Sequence, residues 1–251
     1  MLDIEIEGPT AILTMNRPEK RNAMCDALVE GIDDFFRNVP ASVKVAILTG
    51  TAGHFCSGLD LSEQVVRDAE TTMRHSRAWH QVMDRIQFGG LPVVSAMFGA
   101  VIGGGMEMAA ASHVRIAEES TFFQLPEGKR GIFVGGGGSV RIGRILGADH
   151  MIEMMLTGRR YSAAEGLSLG LTHYVCGQGE ALSKAKEIAL NIAGNSPLSN
   201  YIMIQALSRI EDMSQADGLF AESLCAALTQ TSPNAREGLS AFLEKRKPNF
   251  R

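Results

Sequence analysis

Gly99-Ala-Val-Ile-Gly-Gly-Gly-Met-Glu107 is the stretch that decides how this chain is read. The segment before it, Pro92-Val-Val-Ser-Ala-Met-Phe98, is apolar and rich in β formers, the pattern of a buried strand. After the glycines, Glu107-Met-Ala-Ala-Ala111 is made of strong helix formers. Three consecutive glycines therefore mark the passage from strand to helix. Glycine lets the backbone approach a ligand closely and takes φ angles that other residues avoid. The first N–H groups of a helix have no intrahelical acceptor, and the helix dipole favours negative charge there. Such a turn is an anion site, suited to a phosphate or to an enolate oxygen that develops during a reaction. Glu107 falls on the first helical turn, close enough to share the ligand.

Neither common nucleotide pattern is met. A dinucleotide fingerprint needs Gly-x-Gly-x-x-Gly and, about 20 residues on, an acidic residue ending the next strand. Glu127 stands at that distance, but Phe122-Phe-Gln-Leu-Pro126 does not read as a clear strand. A phosphate loop needs Gly-Lys-Ser/Thr, whereas Gly128-Lys129 is followed by Arg130.

Two further stretches narrow the reading. His54-Phe-Cys-Ser-Gly-Leu-Asp-Leu61 follows a buried strand, Val43-Lys-Val-Ala-Ile-Leu-Thr49. Leu125-Pro-Glu127 leads into a second glycine run, Gly135 to Gly138. Phe-Cys-Ser-Gly-Leu-Asp-Leu, Gly-Gly-Gly-Met-Glu and Leu-Pro-Glu, in that order and spacing, resemble the enoyl-CoA hydratase/isomerase (crotonase) superfamily. Met15-Asn-Arg-Pro-Glu-Lys-Arg-Asn-Ala23 and the C-terminal Arg236–Phe250 segment resemble it as well. The resemblance covers essentially the whole chain. It implies an α/β fold: a spiral of ββα units with two nearly perpendicular sheets, and a helical C-terminal region used for trimerisation. The expected division is a core over 1–196 and a helical region over 197–251.

Hydrating an α,β-unsaturated thioester places negative charge on the thioester oxygen, and two preorganised N–H donors can hold it. A water must lose a proton while carbon gains one, which suits positioned carboxyl groups. By resemblance the donors are the amides of Leu59 and Gly104, the carboxyls are Glu107 and Glu127, and Gly135 helps to orient the water. Both glutamates sit beside glycines and apolar residues rather than within a charged face, which argues for enclosure. Enclosure and a second carboxylate nearby disfavour full ionisation. Which glutamate is acid and which is base stays open. Resemblance also matches Lys20, Arg21 and Ala23 to an early CoA-contacting loop. It places Gly58, Asp60 and Leu61 beside CoA, and Phe242 with Lys245 at its nucleotide end, often from a neighbouring subunit.

The sequence departs from the family after Glu127. Typical hydratases carry an apolar run where this chain has Gly128-Lys-Arg-Gly-Ile-Phe-Val134. The Lys-Arg pair could shift the acyl wall, pair with Glu127, or face solvent or a CoA phosphate. By resemblance, both glutamates together favour hydration, since family members that isomerise typically keep one of the two. The alternatives are an isomerase, a hydrolase or lyase on an unusual acyl-CoA, and a non-catalytic CoA-binding relative.

The global numbers fit. The chain has 251 residues and a net charge of −4, with no basic excess of the kind nucleic acid demands. No apolar run is long enough for a membrane span, and Met1-Leu-Asp-Ile-Glu5 lacks the features of a signal peptide. Cys25, Cys56, Cys176 and Cys225 have no metal spacing and read as free, small buried groups in a reducing cytoplasm. The expected partners are an acyl-CoA substrate and further copies of the chain, as a trimer or dimer of trimers. No metal and no cofactor is expected beyond the CoA carried by the substrate.

Local patterns predict a hairpin over Ile4–Glu7 and Ala11–Met15, and an amphipathic helix over Ala23–Phe36 with Asn22 as cap. They predict a partly helical 62–87, a short strand Val114–Ala117, and helices near 139–156, 163–169, 180–194, 197–210, 216–229 and 234–246. His75 and His80 read as packing or solvent-facing, His54 as a loop or CoA contact, and His113 as a support for the short strand. Leu207, Ile210, Leu219, Phe220, Leu224 and Leu228 lie at helical spacing on the C-terminal helices, either at an interface or buried within one subunit.

Overall fold

Leu2–Glu7 (β1) and Thr10–Met15 (β2) pair antiparallel, with Glu7 opposite Thr10. Gly8, at φ 57°, takes the first turn position and Pro9 the second. From β2 outward the pairing is parallel, through Val45–Thr49 (β3), Val93–Met97 (β4), Val114–Glu118 (β6) and Tyr174–Cys176 (β9). A second sheet joins Ala100–Ile102 (β5), Phe122–Gln124 (β7) and Tyr161–Ser162 (β8). The computed structural model describes residues 1–63 and 68–250, so part of the predicted 62–87 segment lies outside the described residues.

The chain alternates between the sheets. β3 is followed by Phe55-Cys56, which bonds along β5; β4 is followed by β5, and β6 by β7. Three large-sheet strands, β3, β4 and β6, thus hand the chain to the smaller sheet. No repeated motif marks this in the sequence, because the repeat is one of path and not of residues.

Both faces of the large sheet are covered, which is why its central strands read as continuous apolar runs. On one face Ile12, Ile47, Val94 and Ile116 meet Ala181–Ala193 (α7), whose Ala181, Ala185, Ala189 and Ala193 form a buried stripe at i, i+4 spacing. On the other face Leu13, Leu48 and Met97 pack with Leu28, Ile32 and Phe36 of Asp26–Arg37 (α1) and with Met83 and Ile86 of Ala69–Phe88 (α2).

Four local expectations are corrected. Asn22 does not cap α1, which begins at Asp26 with Cys25 as N-cap. Instead Asn22 is buried at φ 58°, accepts the Arg17 N–H and donates to the carbonyls of Thr51 and His54. Residues 122–124 do form a strand; three residues are too few to show alternation, and pairing with β5 fixes them. The helix expected over 139–156 is two, Gly138–Leu146 (α4) and Ala148–Thr157 (α5), broken at Gly147 with φ 77°. Cys176 and Cys225 are only half-buried, although all four thiols are free.

Ala163–Ser168 (α6), α7, Pro197–Ile210 (α8), Gln215–Gln230 (α9) and Pro233–Leu243 (α10) complete the chain near their expected bounds. Among the described residues no helix is long and apolar enough to cross a membrane.

Candidate active site

Gly104–Ala111 (α3) has all eight residues buried, and Glu107 is its single charged side chain. A helix enclosed on every side is expected to be apolar all round, so a carboxyl there is costly unless it is held. It is held: Glu107 Oε1 accepts the N–H groups of Gly136 at 2.9 Å and Gly138 at 2.8 Å. Burial pushes its pKa up, and those two amides oppose the shift by favouring the carboxylate.

Gly103 makes the turn from β5 into α3 at φ 51°, ψ −121°, and a Cβ there would sit 2.8 Å from Glu127 Oε1. Only glycine fits. The next amide, of Gly104, opens the helix and has no intrahelical acceptor. Opposite it, Met24 donates to the Gly58 carbonyl at 2.7 Å and accepts from Asp60 N–H at 2.8 Å. These bonds straddle Leu59, so the Leu59 N–H points away from Met24. A Cβ built on Gly104 would lie 3.8 Å from that nitrogen, so the two amides border one small space.

Glu127 begins a short 3-10 turn, Glu127–Arg130, after Pro126. Its carboxyl is buried, and Oε2 has no hydrogen-bond partner. Burial raises its pKa to about 7, and the nearby Glu107 charge pushes the same way. Both glutamates, Gly58, Leu59, Gly104 and Gly135 line one cavity of about 620 Å³. The enclosure expected for both carboxyls is therefore present. Gly135 is tied down through its carbonyl, which accepts the Ser76 hydroxyl at 2.6 Å. The loop after it rests on Arg141, a buried guanidinium that bonds the Asp84 carboxylate, Gln87 Oε1 at 2.6 Å and the Gly136 carbonyl at 3.4 Å.

The pattern described as Enoyl-CoA hydratase/isomerase matches residues 5–251. The chain belongs to this family. It is 33% identical to the 2,3-dehydroadipyl-CoA hydratase of Escherichia coli, over 96% of this chain and 94% of that one. It is 34% identical to the mevalonyl-coenzyme A hydratase of Aspergillus fumigatus, over 96% of this chain and 90% of the other. A crystal structure of an enoyl-CoA hydratase from Bacillus anthracis superposes with TM-score 0.93 at 31% identity, covering 99% of this chain and 98% of that one. The crotonase-like α/β architecture expected from the sequence is thereby shown.

Within this hydratase/isomerase the other candidate residues are dispersed. Leu61 lines the cavity, whereas Lys20 does not and bonds Ser62 Oγ at 3.1 Å. Arg21 is exposed at φ 51°, and Ala23 is buried. Asp60 turns inward: its carboxylate binds Arg17 at 2.9 Å and accepts both N–H and Oγ of Ser62. These bonds hold its pKa down at about 2. Asp60 thus braces the loop that carries Leu59, and its carboxylate is not a free cofactor contact. Phe242, 79% exposed, and Lys245 do not line the cavity of their own chain.

Met73, Ser76 and Trp79 on α2 line the cavity, and no sequence signal marks them. The face α2 shows to the site depends on docking against the 130–136 loop. His75 also lines it, held by Asp26 at 2.6 Å; His113 accepts the Val93 N–H of β4, and His54 that of Ala100. Lys129 and Arg130 part company: the Lys129 side chain lies against Gly158, while Arg130 lines the cavity.

Proposed function

We propose that the chain adds water across the double bond of a 2-enoyl-CoA, giving a 3-hydroxyacyl-CoA. The pair of buried carboxyls facing one cavity, beside two free-facing amides, carries this reading. The thioester oxygen lies between the Leu59 and Gly104 N–H groups. Water sits between Glu107 and Glu127, oriented also by Gly135. Glu107, whose Oε1 accepts two amide bonds that favour its charged form, takes the water proton. The hydroxyl joins C3, the π electrons move toward the thioester oxygen, and Glu127 delivers a proton to C2. The relatives named as CoA hydratases support the reaction class. CoA comes as part of the substrate, contacted by Lys20, Arg21, Ala23, Gly58 and Leu61, and the proton transfers need no other cofactor.

A panel of 2-enoyl-CoAs followed by loss of the conjugated thioester absorbance tests the proposal. Hydration with a 3-hydroxyacyl product supports it. Isomerisation of 3-enoyl-CoAs without any hydration would replace it.

The assignment of acid and base has its own pH signature. Glu127, with a pKa of about 7, must be protonated to act as acid. So kcat/KM should fall as the pH rises through that value, the Glu127 proton being lost. A profile that instead rises through neutral pH would make Glu127 the base.

We also propose a trimer or dimer of trimers. None of the α8 residues is buried, and Leu207, Leu219, Phe220, Leu224 and Leu228 are all more than half exposed. Burial within one subunit is thus not what covers them. Phe242 and Lys245 would then complete the CoA site of a neighbour. Light scattering should give a trimer or hexamer for the intact chain, and Phe220→Asp with Leu224→Asp should give smaller species; an intact monomer would overturn the assembly.

A further inference from the structure

The 3-10 turn that carries Glu127 ends at Arg130. With three residues per turn, side chains at i and i+3 eclipse, so Arg130 leaves the turn on the same side as Glu127. Lys129, one position earlier, leaves on another side and packs on Gly158. This explains why only one member of the Lys-Arg pair lines the cavity.

Arg130 acts on Glu127 only through space, its charge opposing the upward shift that burial gives that carboxyl. Among the described residues it has no hydrogen bond and no ion pair, whereas the other arginine near the glutamates, Arg141, is bonded to Asp84, Gln87 and Gly136. Nor does Arg130 bond Glu127, whose Oε2 lacks any partner. The surrounding wall is apolar: Met73, Trp79, Ile132, Phe133 and Val134. Among the described lining residues Arg130 is the one permanent cation. The rise of a 3-10 turn sets its backbone roughly 6 Å from that of Glu127, and its side chain is exposed where it lines the cavity.

We propose that Arg130 selects acyl groups that carry a second carboxylate at their far end, so that the substrate is the CoA thioester of an unsaturated dicarboxylic acid. A guanidinium meets a carboxylate through paired N–H donors, and the apolar wall holds the intervening methylenes. A monocarboxylic acyl chain of the same length fills the wall and offers the guanidinium no carboxylate to pair with. This proposal rests on the hydratase reading and adds the substrate class.

The test compares two six-carbon substrates, 2-hexenedioyl-CoA and 2-hexenoyl-CoA, on the wild type and on Arg130→Gln. The readout is the ratio of their kcat/KM values. That ratio cancels any effect of Arg130 on the Glu107–Glu127 proton, since both substrates meet the same pair. The wild type should favour the dicarboxylic substrate by about tenfold or more, and Arg130→Gln should bring the ratio close to one. A wild-type ratio near or below one overturns the proposal. So does a variant that loses both activities in proportion, the result expected if Arg130 holds a CoA phosphate. Calorimetric binding of the saturated analogues, adipyl-CoA and hexanoyl-CoA, repeats the comparison without chemistry. Tighter binding of adipyl-CoA that Arg130→Gln removes, with no hydration of any enoyl-CoA, would keep the substrate class and sink the hydratase reading alone.

Discussion

Glu107→Gln folds, and it slows hydration by roughly 10²- to 10⁴-fold, the reach of general acid–base catalysis. The amide side chain keeps an oxygen to accept the Gly136 and Gly138 N–H groups, so the loop over α3 stays in place. What is lost is the charge that takes the water proton. Glu127→Gln is expected to lose activity on the same scale, with a second effect of opposite benefit. The folded-state pKa of Glu127 is raised from 4.5 to about 7. Above that pH the fold carries a buried carboxylate that the unfolded chain would ionise in water without cost. Stability is therefore lost as the pH rises through that window, and it is unaffected below the unfolded pKa, where both states are protonated. Glu127→Gln should melt higher than the wild type at pH 8, with the difference shrinking toward pH 4. Steady-state rates with crotonyl-CoA and melting curves at the two pH values check both parts. Activity within about threefold of wild type for either variant would remove that glutamate from the chemistry.

Gly104→Val abolishes turnover and leaves the circular dichroism spectrum unchanged. A Cβ at Gly104 would lie 2.4 Å from the Met24 methyl and 3.8 Å from the Leu59 nitrogen. Methionine is flexible at its tip, so the fold can absorb the first contact. The second is an ordinary contact, but it puts the two γ-methyls of valine beside the Leu59 and Gly104 amides, in the space where the thioester oxygen must sit. Loss of a single oxyanion donor costs roughly 10² to 10³ in rate, and blocking both should cost at least that. A variant that folds and retains a rate within about tenfold of wild type would show that the oxygen is held elsewhere.

These expectations draw on two kinds of information. The strand before Gly99, the glycines and the helix formers after them could be read locally, because backbone sterics act over a few residues. The enclosure of Glu107 was legible in the same way: a charged residue among Gly104, Gly105, Met106, Met108 and three alanines has no polar face to join. The five motifs in order announced the family and, with it, the carboxyl pair. Local pattern failed where pairing partners far along the chain set the structure. Residues 122–124 become a strand only because β5 lies beside them, and Asn22 leaves the helix end to tie Arg17 to Thr51 and His54.

The amino-acid sequence by itself determined the strand-to-helix glycine turn, the two enclosed glutamates and the family, since each depends on residue type and short spacing. Only the tertiary structure decided that Asp60 braces its loop instead of facing a ligand, that α2 supplies Met73, Ser76 and Trp79 to the site, and that Arg130 enters the cavity while Lys129 leaves it. Those outcomes depend on which face of a helix or turn meets segments far along the chain, 59 residues for Ser76 of α2 against Gly135 and 43 for Asp60 against Arg17. Side-chain direction within a turn follows from its hydrogen-bond geometry, and that geometry is settled only when the chain has packed.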